Sequence, residues 1–170
     1  MEQNSLELPT YFLRPGYLFV PGGPTLISAV LGSCVAVSLW DTKREYGGMN
    51  HFLYPRIRDP RRATVQYGNI ATQTLLRPFL ETGSRLEDLE AQILGGAAPG
   101  IEGSTTVDIA RQNIQVARKT MEKKGISIVS EDVGGAKGRK VIYNSQTNEL
   151  IVVRVERLRK SDWYPYEGER

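Results

Sequence analysis

The sequence predicts an α/β sandwich, in which a mixed β-sheet or two sheets carry two main helices. Three observations lead there. The first half of the 170-residue chain is a series of short apolar runs rich in β-branched residues, punctuated by glycine, proline and charged turns. Two later segments, around Tyr67–Phe79 and Val107–Met121, carry the period of an amphipathic helix instead. The resulting order is several strands, helix, strand, helix and three strands. No internal repeat, low-complexity run or interdomain linker interrupts it, so residues 1–170 read as one layered domain with its core over about 11–158.

Along the chain, "YFLRPGYLFV" is a mixed strand region broken by Pro15-Gly16. "LISAVLG" and "CVAVSLW" suit strands buried on both faces. Pro21 to Trp40 has no charge and is about long enough to span a bilayer. However, Pro21-Gly22-Gly23-Pro24 is a turn and not the start of a helix, so the stretch reads as buried strand–loop–strand. After a charged turn at Asp41 to Tyr46, "GGMNHFLYP" is a strand ended by Pro55, and "RIRDPRR" is an exposed basic loop.

Tyr67, Ala71, Leu75 and Phe79 then recur at four-residue spacing, with Pro78 expected to kink or end that helix. "LEAQILGG" is a strand running into a glycine-rich loop. Val107, Ala110, Ile114, Ala117 and Met121 form one apolar stripe. Lys123-Lys124-Gly125 supplies cations at the negative end of the dipole and a C-terminal glycine stop. "ISIVSEDVGG" is a strand, and "KVIYNSQTNELIVVRVERL" a hairpin turning near Gln146–Asn148. The tail, 159–170, has no period and is expected to be mobile.

Composition narrows the function classes. Hydrophobic residues make up 40% and charged residues 24%, with a net charge of +3, which is ordinary for a soluble globular protein. There is no stripe of Lys and Arg interleaved with aromatics, so nucleic acid is not the expected partner. A single cysteine cannot close an intramolecular disulfide, and the polar start "MEQNSLELPT" lacks the apolar region of a signal peptide. A reducing, cytoplasmic setting is expected, with no membrane insertion.

One cysteine and one histidine are too few for a zinc site, and "SEDVGG" lacks the spacing of a calcium loop, so no metal is expected. "LGGAAPGIEGSTT" joins a strand to a helix, where phosphate is often cradled. It has neither G-x-G-x-x-G nor G-K-[ST], so a structural loop, or one shaping a different pocket, is the expectation and no cofactor is implied.

The lone Cys34 and lone His51 admit two readings. Each alone is readily a buried, inert residue of a strand. Together they suggest a thiol nucleophile and its base. Cys34 follows Gly32-Ser33, where a tight turn can present N–H groups to an oxyanion, and His51 follows Gly47-Gly48. Hydroxyls that could orient an imidazole lie upstream at Ser28 and Thr25. The residues alone reach a Cys–His acyl-transfer hydrolase and do not name its substrate.

The blocks "LGSCVAVSLWD", "GGMNHFLYP", "LGGAA", "ARQN" and "EDVGGAKGRKVIYNSQTNEL", in that order, resemble the CheD family of bacterial chemotaxis. The resemblance runs from about Tyr11 to Arg154. It implies an α/β sandwich similar in its active site to toxin-type deamidases. The activity it implies is deamidation of glutamine side chains on methyl-accepting chemotaxis receptors, through a thioester and without cofactor or metal. By position it implies Cys34 as nucleophile, His51 as base and Ser28 as the orienting hydroxyl, with oxyanion donors at the Ser33 and Cys34 backbone. The family commonly has threonine at the Ser28 position or one place on, where this chain has Ala29. The "ARQN" block is a partial match, ending in Asn113. The implied substrate is a long helical receptor hairpin, and a CheC-type phosphatase is an implied partner. An adaptor that binds receptors or that phosphatase with little catalysis is the alternative. Arg56, Arg58, Arg61 and Arg62 are either a solvated loop or a positive rim that steers an acidic substrate.

Overall fold

The computed structural model describes residues 7–156. Two sheets form. One has four strands in the order β1-β3-β8-β9, namely Thr10–Phe12, Leu26–Leu31, Gly138–Asn144 and Leu150–Val155. The other has five in the order β2-β5-β4-β6-β7, namely Tyr17–Phe19, Tyr46–His51, Val35–Asp41, Leu89–Gly95 and Ser127–Val133. Both are mixed: β1 and β3 are parallel, as are β6 and β7, and the other pairs are antiparallel. The helices are α1, Gly68–Glu81, and α2, Thr105–Lys124.

Side-chain alternation along β4 explains the layering. Ala36 turns toward a core of Leu13, Ile27, Leu31, Met49, Val141 and Tyr143 between the two sheets. Val35, Val37 and Leu39 turn the other way, against Leu75, Phe79, Ile114 and Met121 of the helices. The five-stranded sheet is therefore the middle layer, which is why β4 is apolar on both faces. The expectation of two-faced burial fails for β3. It lies in the outer sheet, so on its outer face Leu26 and Ser28 are half-buried and only Val30 is buried, while Ile27, Ala29 and Leu31 are buried on the other.

Local chemistry sets the helix ends. The Ser104 hydroxyl accepts the Val107 N–H at 3.3 Å and starts α2. Gly125, at φ 69°, ends it in the left-handed conformation expected of a glycine stop. α1 continues past Pro78 to Glu81, because a proline in the last turn removes only one late hydrogen bond. "YFLRPGYLFV" becomes β1 and β2, which belong to different sheets, and Pro15-Gly16 hands the chain across. The β8–β9 hairpin turns through Asn148 at φ 63°. No helix among the described residues is long and apolar enough to cross a membrane. The expected tail, 159–170, lies outside the described residues.

Candidate active site

The chain leaves the outer sheet at Leu31 and enters the middle sheet at Val35, so Gly32-Ser33-Cys34 is the crossover between layers. All three carbonyls of this turn are tied inward. The Gly32 oxygen accepts from Ala97 N–H at 2.8 Å, the Cys34 oxygen from Gly96 N–H at 2.8 Å, and the Ser33 oxygen from Asn113 Nδ2 at 3.1 Å. A trans peptide points its N–H opposite its C=O. Pulling in the Gly32 and Ser33 carbonyls thus turns the Ser33 and Cys34 N–H groups the opposite way, whereas the Val35 N–H, which shares a peptide with the Cys34 carbonyl, donates to the Phe52 carbonyl at 3.1 Å. The N–H groups of Gly32 and Ser33 meet no acceptor among the described residues, and that of Cys34 lies against its own thiol.

The glycine-rich loop "LGGAA" forms the floor of this turn. A Cβ on Gly95, at φ 99°, would sit 2.3 Å from the Cys34 carbonyl oxygen, so only glycine permits this approach. The loop shapes the Gly32–Cys34 turn, so it is structural, one of the two expectations for it. Among the described residues no three His, Cys, Asp or Glu side chains gather where they could hold a metal.

His51 ends β5. Ser38 pairs with Met49 and Val35 with Phe52, so the same register sets Ala36 opposite His51. Cys34 directly precedes the Val35–Phe52 bridge, so it stands at the end of the strand pair where His51 lies. The ladder between them is interrupted. Regular alternation would send the Val37 N–H to the Asn50 backbone carbonyl, but it donates to Asn50 Oδ1 at 2.8 Å instead. Asn50 is fully buried, and its Nδ2 has no partner among the described residues. Its side chain parts the strands beside His51.

The His51 ring is buried, with Nδ1 3.2 Å from the Leu13 carbonyl oxygen and Nε2 without a hydrogen-bond partner. Burial lowers its pKa to about 4, against a smaller raising effect of the Leu13 carbonyl. A carbonyl only accepts, so in the neutral ring Nδ1 carries the proton and Nε2 the lone pair. Burial raises the Cys34 thiol to about 11, partly offset by its own N–H. Both groups are thus neutral in the free chain, and no hydrogen bond joins them.

Ser28 reaches this site through backbone. Its carbonyl accepts the Leu13 N–H at 2.8 Å, and the Leu13 carbonyl meets His51. The Ser28 hydroxyl makes no hydrogen bond to the ring, and Ser28 alternates with the core-facing Ile27 and Ala29. Thr25 is held elsewhere, its hydroxyl on the Gly23 carbonyl at 3.0 Å. The basic loop contains a short 3₁₀ turn, Pro60–Arg62, in which Arg61 pairs with Asp59 at 3.2 Å. Beside it a cleft of about 240 Å³ is lined by Pro55, Arg56, Gln112, Gln115, Val116 and Lys119.

Leu13 and Asn50 escaped the sequence reading, and Asn113 enters it only as the end of the partially matching "ARQN" block, with no role. A backbone carbonyl leaves no trace in side-chain identity. An asparagine inside an otherwise apolar helical stripe is a signal, and Asn113 stands beside Ile114 in that stripe.

The family described as "CheD chemotactic sensory transduction" matches residues 55–154. Curated relatives extend the likeness. A protein of Trichlorobacter lovleyi named "Probable chemoreceptor glutamine deamidase CheD" is 40% identical over 153 residues, 90% of this chain and 95% of its own length. Proteins of the same name from Sulfurimonas denitrificans and Thiobacillus denitrificans are 34% and 33% identical, over 89% and 91% of this chain and 98% and 78% of their own lengths. Alignments of that extent take in both Cys34 and His51. The chain belongs to the CheD family.

Proposed function

We propose that this protein deamidates glutamine side chains of methyl-accepting chemotaxis receptors, with Cys34 as nucleophile and His51 as base. The observation that carries the reading is the pairing of a crossover turn, its N–H groups turned outward at Cys34, with a neutral imidazole whose Nε2 is free. The names of the relatives supply the substrate class.

The neutral state of both groups shapes the mechanism. A preformed thiolate–imidazolium pair is disfavoured by burial, so proton transfer accompanies attack on the bound substrate. Nε2 takes the thiol proton as sulfur bonds to the carboxamide carbon. The oxyanion is met by the Ser33 and Cys34 N–H groups. The imidazolium returns its proton to nitrogen, the C–N bond breaks and ammonia leaves a thioester. Water, deprotonated at Nε2, attacks the same carbon and expels sulfur, giving glutamate and restoring the thiol. Ser28 serves as the third member through the Leu13 backbone that its carbonyl holds against the ring. Binding of a CheC-type phosphatase belongs to the same proposal and is checked by co-elution.

Mass spectrometry of receptor cytoplasmic fragments incubated with the protein tests the reading. Each converted glutamine gains about one dalton, because an amide NH₂ becomes OH. Conversion should be absent with Cys34→Ala. Conversion at wild-type rate by that variant would end the nucleophile assignment, and no conversion by the folded wild type would end the deamidase reading.

A further inference from the structure

The "ARQN" block has no part in the chemistry above, yet its asparagine is fully buried against the site. Asn113 Nδ2 donates to the Ser33 carbonyl at 3.1 Å and to the Leu53 carbonyl at 2.9 Å. Ser33 directly precedes the nucleophile, and Leu53 stands two residues beyond the base. One amide on α2 therefore staples together the two segments that carry Cys34 and His51. Both its protons are spent on them, and Oδ1 is left without a partner among the described residues.

The three carbonyls of the turn are not equivalent. The one that Asn113 holds belongs to the Ser33–Cys34 peptide, whose N–H is that of Cys34 itself. Because the peptide is planar and trans, the direction of the Ser33 C=O dictates the opposite direction of the Cys34 N–H. The other two carbonyls are held by the backbone N–H groups of Gly96 and Ala97 in the glycine-rich loop and by no side chain. Only this one is held by a side chain that can be exchanged.

We infer that Asn113 is a positioning residue that aims the Cys34 N–H at the developing oxyanion and sets the nucleophile turn against the base strand. The inference rests on the proposed deamidase chemistry. It assigns Asn113 no contact with substrate. A group that orients an oxyanion donor acts in the transition state and leaves ground-state binding alone.

The test compares wild type, Asn113→Leu and Ile114→Val on a receptor fragment, with thermal unfolding of each. Ile114 is the adjacent core residue, 8% exposed, and serves as the packing control. For folded Asn113→Leu, kcat should fall about 10- to 100-fold, somewhat less than full removal of an oxyanion donor, while KM stays within about twofold. Ile114→Val should keep wild-type kcat. A peptide bearing glutamate δ-semialdehyde in place of the target glutamine gives a second readout. The Cys34 sulfur adds to its aldehyde carbon and the thiol proton ends on oxygen, giving a hemithioacetal that probes the same donor. Its affinity should fall by about the factor lost from kcat. If the leucine variant does not fold, Asn113→Ala takes its place, removing the amide without overfilling the site. Wild-type kcat in either folded variant overturns the inference. So does a loss that matches an equally destabilised Ile114 variant, or unchanged aldehyde affinity. An inactive wild type, or an active Cys34→Ala, would instead overturn the deamidase reading and is seen before any Asn113 variant is made.

Discussion

The His51 ring meets the Leu13 carbonyl oxygen at 3.2 Å, and this contact ties the end of the middle sheet to the outer sheet. It also makes the buried ring a neutral acceptor at Nε2. Folding holds the pKa at about 4 against an ordinary 6.5. Below 6.5 the unfolded chain binds a proton that the folded chain refuses until about 4. The contribution of this group is therefore whole above 6.5 and is lost as pH falls toward 4. Over the full window it amounts to about 3 kcal/mol. Urea unfolding of wild type and His51→Gln, compared at pH 7 and pH 4.5, should show a steeper acid loss in wild type. Equal pH dependence would mean that the ring is not held neutral.

Cys34 gives the complementary expectation at high pH. Its thiol titrates near 11 in the free chain, and only thiolate alkylates rapidly. Iodoacetamide labelling should be slow at pH 7 and still rising between pH 9 and 10.5. A plateau already reached by pH 8 would show a preformed thiolate and contradict concerted proton transfer.

Ser28 and Thr25 should separate cleanly. Ser28→Ala leaves intact the backbone chain from Ser28 through Leu13 to His51, so kcat should stay within about threefold of wild type. Thr25 spends its hydroxyl on Gly23 and is buried. Thr25→Ala should cost about 1 kcal/mol of stability with kcat unchanged. A Ser28→Ala loss of a hundredfold would place its hydroxyl directly on the ring during turnover.

Arg56 and Lys119 both face the cleft beside α2, whereas Arg61 is engaged by Asp59. If the rim steers acidic receptor helices, exchanging Arg56 and Lys119 for glutamine should lower kcat/KM at low salt and leave kcat unchanged. The gap should close as salt rises, since the Debye length is about 8 Å at physiological ionic strength. A salt-independent loss would mean direct contacts. No loss at any salt would make the loop a solvated surface.

The sequence by itself determined the two helices, the order of elements along the chain and the lone thiol and imidazole proposed as the reactive pair. Those rest on periodicity, on glycine and proline punctuation, and on there being one thiol and one imidazole. The Gly125 stop of α2 and the Asn148 turn were legible because their chemistry is local. Only the tertiary structure decided that β3 and β4, neighbours in sequence, belong to different sheets, which makes Gly32-Ser33-Cys34 a crossover. Their apolar runs look alike, since burial on one face or two is a property of layers and not of a strand. The same holds for the partners of the site. Leu13 acts through a backbone carbonyl that every residue but its geometry would share. Asn50 and Asn113 matter because side chains 13 and 80 residues from their hydrogen-bond partners are brought within reach by packing. Periodicity records which face of an element is buried, and it carries no record of what that face will meet.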